Sequence, residues 1–339
     1  QVDILNNNDE LVGPSDLKTT VFVQEDTNQT SLATINGELT DTSDIDAEGN
    51  EDILSFAEYN GNKKLTIDIG FETVKSTSDD NSTVLNEISG FEGVIGSSKD
   101  DVIIGGDNIN KLAGAAGEDT ISGDNDDFVD YGREQAFAHQ SQAFHLDTGI
   151  HADLQQGIAT DTYGYKDTLY VTDDGHGIRN IIGTTNDDVI IGSDLGSEIL
   201  SGHGDDKISI NGGNNKVIAG LGDDIINVNA KNAVIYGDAV GYAEGKDTFK
   251  IQNGFENITI EDFETSSDKL IINLRDGEEL GAIEGYGTNN IKIRKNTNSD
   301  HVLNLNSAAG IITATTLAIV TTEVMALTDI LPSSESFVG

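Results

Sequence analysis

Cysteine is absent from this sequence, which removes disulfide staples and thiolate metal sites together. Basic residues are scarce: 19 Lys and Arg face 60 Asp and Glu, for a formal net charge of −41. Nucleic acid and anionic membrane surfaces are therefore poor partners and cations good ones, and self-repulsion opposes compaction. Two prolines accompany 38 glycines, a balance that fits a turn-rich solenoid better than a linker or a collagen. Long apolar runs are missing too. The charge-free stretch 302–322 is broken by Asn304, Asn306, Ser307, Gly310 and five threonines, so no membrane span is expected. The opening Gln1-Val2-Asp3 has neither a basic nor an apolar signal region. The sequence also lacks H-E-x-x-H, G-x-S-x-G, a Walker loop and a dinucleotide fingerprint, and it is expected not to be an enzyme.

What is present is a repeat. Every ninth residue is aliphatic from Ile190 through Ile199, Ile208, Val217 and Ile226 to Ile235. Every eighteenth brings an acidic turn: Asn186-Asp187-Asp188, Gly204-Asp205-Asp206, Gly222-Asp223-Asp224. A longer period lies over these, because residues 96–105 return as 183–192 at an offset of 87. Without a gap, that offset maps Ile67, Gly70 and Thr73 onto Leu154, Gly157 and Thr160, and Gly117, Asp119 and Ile121 onto Gly204, Asp206 and Ile208. The first copy carries the aliphatic series Val94, Ile103, Leu112, Ile121, and then Asp130 stands where the next is due. Such internal periods decide the fold class before any single motif does.

A period of nine fits neither a helical face nor a sustained alternating strand. It fits a three-residue strand with its central side chain inward, followed by a six-residue turn in which Gly, Asp and Asn tolerate positive φ. Two strands and two turns make a coil of 18 residues, and coils stack in parallel at roughly 4.8 Å. One coil alone cannot bury its apolar face, so coils must stack and the ends need caps. The expected fold is all-β, a parallel β-roll in two blocks. Residues 1–64 form an acidic strand or loop region and 65–131 a first repeat unit with a short roll. A spacer or hairpin follows over 132–176, the second roll over 177–240, capping strands over 241–300 and a carboxy-terminal segment over 301–339. His139, His145 and His151 share no helical face, and with Phe137, Phe144, Tyr163 and Tyr165 they read as spacer residues.

Stacking piles the acidic turns on one another. Asp188, Asp206 and Asp224 fall on one edge, and Asp101 and Asp119 form the equivalent pair in the first block. Two carboxylates about 5 Å apart repel by roughly 3 kcal/mol at an effective dielectric near 20. A divalent ion between turns reverses that sign. Only oxygen ligands are on offer, which favours Ca²⁺ over Zn²⁺ or Cu²⁺, and Mg²⁺ is disfavoured by its octahedral demand and retained water.

Gly202-His203-Gly204-Asp205-Asp206-Lys207-Ile208 and Gly220-Leu221-Gly222-Asp223-Asp224-Ile225-Ile226 resemble the calcium-binding nonapeptide G-G-x-G-x-D-x-U-x of the repeats-in-toxin (RTX) family. Gly114-Ala115-Ala116-Gly117-Glu118-Asp119-Thr120-Ile121 is similar with one glycine lost. The lead-ins Glu92–Gly96 and Arg179–Gly183, and the stretch Ile260–Leu270, resemble the family's entry and cap, so the likeness covers about 90–130 and 177–275. It implies secretion, an uncleaved carboxy-terminal export signal, and Ca²⁺ held between turns by Asp side chains and glycine-region carbonyls. The residues it marks are Gly96, Asp101, Gly114, Gly117, Asp119, Asn186, Asp188, Gly202, Gly204, Asp206, Gly220, Gly222 and Asp224.

Three sites follow: Asp101/Asp119, Asp188/Asp206 and Asp206/Asp224, with Asp124, Asp127, Asp238 and Asp247 as irregular additions. Lys99 and Asn186 replace a motif glycine, so the first site of each block is expected to be weaker. Asn110, Ser197, Asn215 and Ala233 stand where Asp belongs on the other edge, which is expected to be empty or held by side-chain hydrogen bonds. The functional expectation is a secreted, calcium-coupled structural protein of a surface layer, matrix or adhesive, which partners itself as a lattice or filament, or a cell-surface polysaccharide. The alternatives are a secretion module of a larger exoenzyme and a carbohydrate-binding module.

Overall fold

The computed structural model describes residues 2–5, 20–23, 53–57, 59, 63–78, 81–88, 91–136, 148–170, 177–239, 245–274, 279–285, 288–295, 301–306 and 319–323. Among these the regular structure is β-strand apart from one short helix, Tyr131–Ala136. The fold is all-β with parallel strands in two sheets, as the nine-residue spacing requires. The chain forms two compact units, 1–148 with 157–180, and 149–156 with 181–339.

In the first unit one sheet runs Val2–Leu5, Thr20–Val23, Ile53–Ser55, Gly93–Ile95, Lys111–Ala113, Phe128–Asp130, all parallel. The other stacks Lys64–Asp68, Val102–Ile104, Thr120–Ser122 and Lys166–Leu169 in parallel. Antiparallel strands Thr73–Ser78 and Asn81–Glu87 finish one end of this sheet, and Ile158–Thr160 the other. Val94 lies opposite Leu112 in one sheet and Ile103 opposite Ile121 in the other. All four are fully buried. The series of nine therefore serves the two sheets alternately.

The second unit is the longer roll. Glu198–His203, Asn214–Leu221, Asn232–Asp238, Asn257–Ile260 and Val302–Asn306 follow Asn180–Ile182 in parallel. In the other sheet His151–Asp153, Val189–Ile191, Lys207–Ile210, Ile225–Val228, Thr248–Ile251, Lys269–Leu274 and Ile319–Glu323 are parallel throughout. Ile190, Ile208, Ile226, Phe249 and Leu270 line up as one column, and Ile199, Val217, Ile235 and Ile260 as another. Each is sealed from solvent, and at roughly 2 kcal/mol per fully buried aliphatic side chain these columns are the main attractive term.

Several sequence expectations shift here. The first roll does not lapse at Asp130: Leu112 pairs with Val129, so that coil is one residue short and the aliphatic has moved back one place. The second roll does not stop near 240. Phe249, Ile260 and Leu270 keep the parallel register in coils wider than 18, and Phe249 packs against Phe263 with ring centroids 6.0 Å apart to fill the added width. Among the described residues of this unit, Asn290–Lys295 and Leu280–Glu284 turn antiparallel as a cap.

The stretch 132–176 is not one spacer. His151–Asp153 pairs with Val189–Ile191 of the second unit, while 158–160 and 166–169 form a hairpin on the first. The offset of 87 also slips in the lead strand. Leu65 N–H donates to Asp101 and Ile150 N–H to Asp188, and Phe71 N–H donates to Asp68 as Gln156 N–H does to Asp153. Ile67 thus corresponds to Ala152, not Leu154, and the lead-strand offset is 85. Phe137, Phe144, His139, His145 and most of 307–339 lie outside the described residues. Tyr163 is half-buried and Tyr165 exposed.

Candidate metal centre

The acidic edge is built by turns that favour glycine. Gly204 and Gly222 sit at φ 112° and 145°, and a Cβ on Gly222 would lie 2.0 Å from the Gly204 carbonyl oxygen beneath it. Gly117, Gly202 and Gly220 are also at positive φ, whereas Gly96 and Gly114 are not. The glycine lost from the first block is Ala115, which holds φ 66° all the same. Gly114 has a different constraint: its Cβ would meet Asp119 Oδ2 at 2.3 Å. Gly96 would meet the Gly114 carbonyl oxygen at the same distance.

These turns stack the aspartates into a hydrogen-bonded series. Asp188 N–H donates to Asp206 Oδ1 at 2.8 Å and Asp206 N–H to Asp224 Oδ1 at 2.8 Å. The series continues beyond the regular repeats, from Asp224 to Asp247 at 3.0 Å and from Asp247 to Asp268 at 3.1 Å. In the first unit Asp101 N–H donates to Asp119 Oδ1 at 2.6 Å and Asp119 N–H to Asp167 Oδ1 at 3.0 Å. An outer, exposed row runs the other way, with Asp205 N–H donating to Asp187 and Asp223 N–H to Asp205. Asn186 lies beside this row, and its N–H donates to Thr184 Oγ1.

One oxygen of each inner carboxylate is therefore committed to the neighbouring coil. The other divides the series into two kinds. Asp119, Asp206, Asp224 and Asp247 each bury an Oδ2 that has no hydrogen-bond partner, an arrangement that is costly unless something else satisfies it. Asp101 and Asp188 are already satisfied: Ser97 donates its N–H and hydroxyl to Asp101, and Thr184 does the same for Asp188. Burial pushes Asp101 and Asp188 up to about 6. Burial, with repulsion from neighbouring aspartates, pushes Asp224 up to about 7, Asp206 and Asp247 to about 8 and Asp119 to about 10.

In each unit the opposite edge is closed by its own side chains. Ser197 Oγ accepts from Ser193 N–H and Asn215 Oδ1 from Ser197 N–H, while Asn110 Oδ1 accepts from Gly106 N–H. Asp127 uses both oxygens, on Asn110 N–H and Asp124 N–H. Asp262 likewise spends both on Gly237 N–H and Asp238 N–H.

Four residues that the repeat did not mark gather at the end of the first roll's acidic edge. Asp167 takes the rung after Asp119, and Tyr131 Oη donates to its other oxygen at 3.0 Å. Glu134 Oε1 accepts Gly114 N–H and Ala115 N–H, and Asp161 Oδ1 accepts Tyr163 N–H and Tyr165 N–H. Burial holds Glu134 and Asp167 well above the carboxylate range and Asp161 at about 7. A signal for Asp167 does exist: Lys166-Asp167-Thr168-Leu169 repeats Glu118-Asp119-Thr120-Ile121 in outline, as Lys246-Asp247-Thr248-Phe249 does. Thr120 indeed pairs with Thr168 and Ile121 with Leu169. The residue spacing hides it, because a helix and a hairpin intervene.

Among the described residues no three acidic or histidine side chains form a ready-made metal set. The buried orphan oxygens and the glycine cradle around Asp119 Oδ2 nevertheless fit a hard cation that draws its remaining ligands from turn carbonyls. Among the described residues no helix is long and apolar enough to cross a membrane. No protein-family model and no curated protein matches the chain. Among solved structures it is similar to the extracellular lipase LipA from Serratia marcescens, at 18% identity and a TM-score of 0.20, over 68% of this chain and 40% of the lipase.

Proposed function

We propose that the chain is a secreted calcium-binding β-roll of the repeats-in-toxin kind, with a structural role in a surface layer, matrix or adhesive. The observation that supports this best is the set of buried, donorless Oδ2 atoms on Asp119, Asp206, Asp224 and Asp247. All four belong to carboxylates whose other oxygen is fixed by a backbone N–H of an adjacent coil. Calcium bound there would supply positive charge between the coils and complete a shell of oxygen ligands. The chain supplies the rest. Asp206 and Asp224 hold successive coils at fixed separation, and the glycine turns bring backbone carbonyls close by leaving no room for Cβ. Ser97 and Thr184 take the cation's place at the first rung of each block.

Folding is on this reading coupled to calcium: expanded where the ion is scarce, rigid where it is plentiful. Chelation with EGTA at pH 7.5 is expected to abolish most of the far-ultraviolet β signal and enlarge the hydrodynamic radius. A spectrum indifferent to EGTA would remove the proposal. No catalytic step is assigned to the chain.

A further inference from the structure

We propose that the second roll docks face to face on a second copy of this chain, through an outward stripe of Ile182, Leu200, Ile218 and Tyr236. The inference deepens the structural role suggested above by naming its partner, and it rests on that reading for the calcium-loaded state in which the roll is folded.

Side chains alternate between the two faces of a strand. Ile181, Ile199, Val217 and Ile235 point into the roll and are fully buried, so the residue after each points outward. Ile182 lies opposite Leu200, Leu200 opposite Ile218 and Ile218 opposite Tyr236, which sets the four in one line across successive coils. Paired apolar residues of this kind mark a parallel sheet that is covered on both faces. Yet all four are only half-buried, and Val234 beside them is 39% exposed.

The first unit shows the same surface with a cover. The offset of 87 carries Ile182 and Leu200 back to Ile95 and Ala113, which also lie opposite each other. Both are fully buried, in a small core of their own with Ile53, Ala115 and Ala57. The chain thus supplies apolar cover for this stripe in one unit and leaves its equivalent in the other partly open to water.

Charge singles out a second copy as the occupant. The chain carries a net −41, but the stripe itself is uncharged. The row beside it places Glu198 opposite Lys216, paired at 2.6 Å, so the patch is neutral and also self-complementary. A two-fold axis along the strands, between these two coils, sets Glu198 against the second copy's Lys216. The same axis sets Leu200 against the second copy's Ile218 and Ile182 against its Tyr236, an isologous contact. Two sheets packed this way have nearly aligned strands and lie about 10 Å apart. Four coils at roughly 4.8 Å make a stripe only about 14 Å long, well short of a standard interface, so the dimer is weak. The net charge of each copy opposes it, and salt therefore strengthens it.

Sedimentation equilibrium of the full chain in saturating calcium is the test, with the far-ultraviolet spectrum recorded on each sample. Wild type is expected to dimerise with a Kd of roughly 10–100 μM, tighter as sodium chloride is raised. Leu200→Lys makes the chain less acidic, yet it is expected to weaken the dimer about tenfold or more by placing a charge in an apolar contact. Glu198→Lys and Lys216→Glu should each weaken it as well. An equimolar mixture of those two is expected to associate as wild type does, because each restores the charge that the other reverses. A role confined to pairing within one chain gives no such recovery. If Leu200→Lys fails to fold, the mixture decides, since Glu198 and Lys216 lie at the surface. Wild type that stays monomeric with its calcium-dependent spectrum intact overturns the dimer and leaves the calcium reading standing. Association that survives Leu200→Lys unchanged, or a mixture no better than its components, overturns it too. A spectrum indifferent to EGTA defeats the calcium reading instead, and the mixture still decides the dimer.

Discussion

Within each roll the two edges are made by one spiral from similar turns, yet they are finished differently. Where Ser197, Asn215 and Asn110 sit, every turn finds its acceptor within the chain. Where Asp206 and Asp224 sit, half of each carboxylate is left over. A hydroxyl or an amide closes a rung and leaves it neutral. A carboxylate closes it with one oxygen and presents the other, with its charge, to whatever can be recruited. One edge is thus complete on folding and the other is conditional on its surroundings.

The most severe way to probe that contrast is to remove calcium and vary pH. The ladder aspartates have folded values of about 6 to 8, with Asp119 at about 10, all above the ordinary 3.8. Acids raised in the folded state bind protons more tightly there, so without calcium the stability they contribute is full below about pH 4 and is lost as pH rises through their folded values. Urea titrations in EGTA are expected to show a midpoint falling steadily from pH 4 to pH 8. With saturating calcium that slope should vanish or reverse, and an apo protein most stable at pH 8 would contradict the assignment.

A narrower contrast comes from single substitutions. Asp206→Ala removes a carboxylate that serves two coils. At free calcium a hundredfold above Kd, each ion lost costs about 2.7 kcal/mol, and the loss should disappear in EGTA. Asn215→Ala on the opposite edge removes an acceptor from Ser197 N–H, costs about 1 kcal/mol, and should cost the same with or without calcium. Equal calcium dependence for the two variants would erase the distinction between the edges. The smallest effect is expected at Ala115, an alanine at φ 66°. Ala115→Gly should relieve left-handed strain and stabilise the first unit by up to about 1 kcal/mol, read as a rise in its thermal midpoint.

The columns of Ile190, Ile208 and Ile226 and of Ile199, Val217 and Ile235 were legible in the sequence because each coil is 18 residues long and each aliphatic must point inward. Legibility ended where coil length changed. Val129 was hidden by one missing residue, and Phe249 and Leu270 by wider coils whose added space is filled by aromatic rings. The acidic edge was readable at Asp188, Asp206 and Asp224 for the same reason of fixed spacing. Which of these rungs has a spare oxygen was not, since that depends on Ser97 and Thr184, two hydroxyls at variable turn positions. Lys99 and Asn186, the residues expected to weaken the first rungs, donate their N–H groups to those same hydroxyls, Ser97 and Thr184 respectively. Glu134 and Asp161 were beyond reach, because nothing local says that a helix and a hairpin will stand in for a coil.

Asp119, Asp206, Asp224 and Asp247 each anchor an adjacent coil with one oxygen and leave the other unengaged, so near neutral pH the spine of the spiral depends on what occupies that second oxygen. Hydrogen ion and metal compete for the same lone pairs. Acidifying the medium should therefore loosen the grip on the metal rung by rung, while the scaffold that frames each berth keeps its outline.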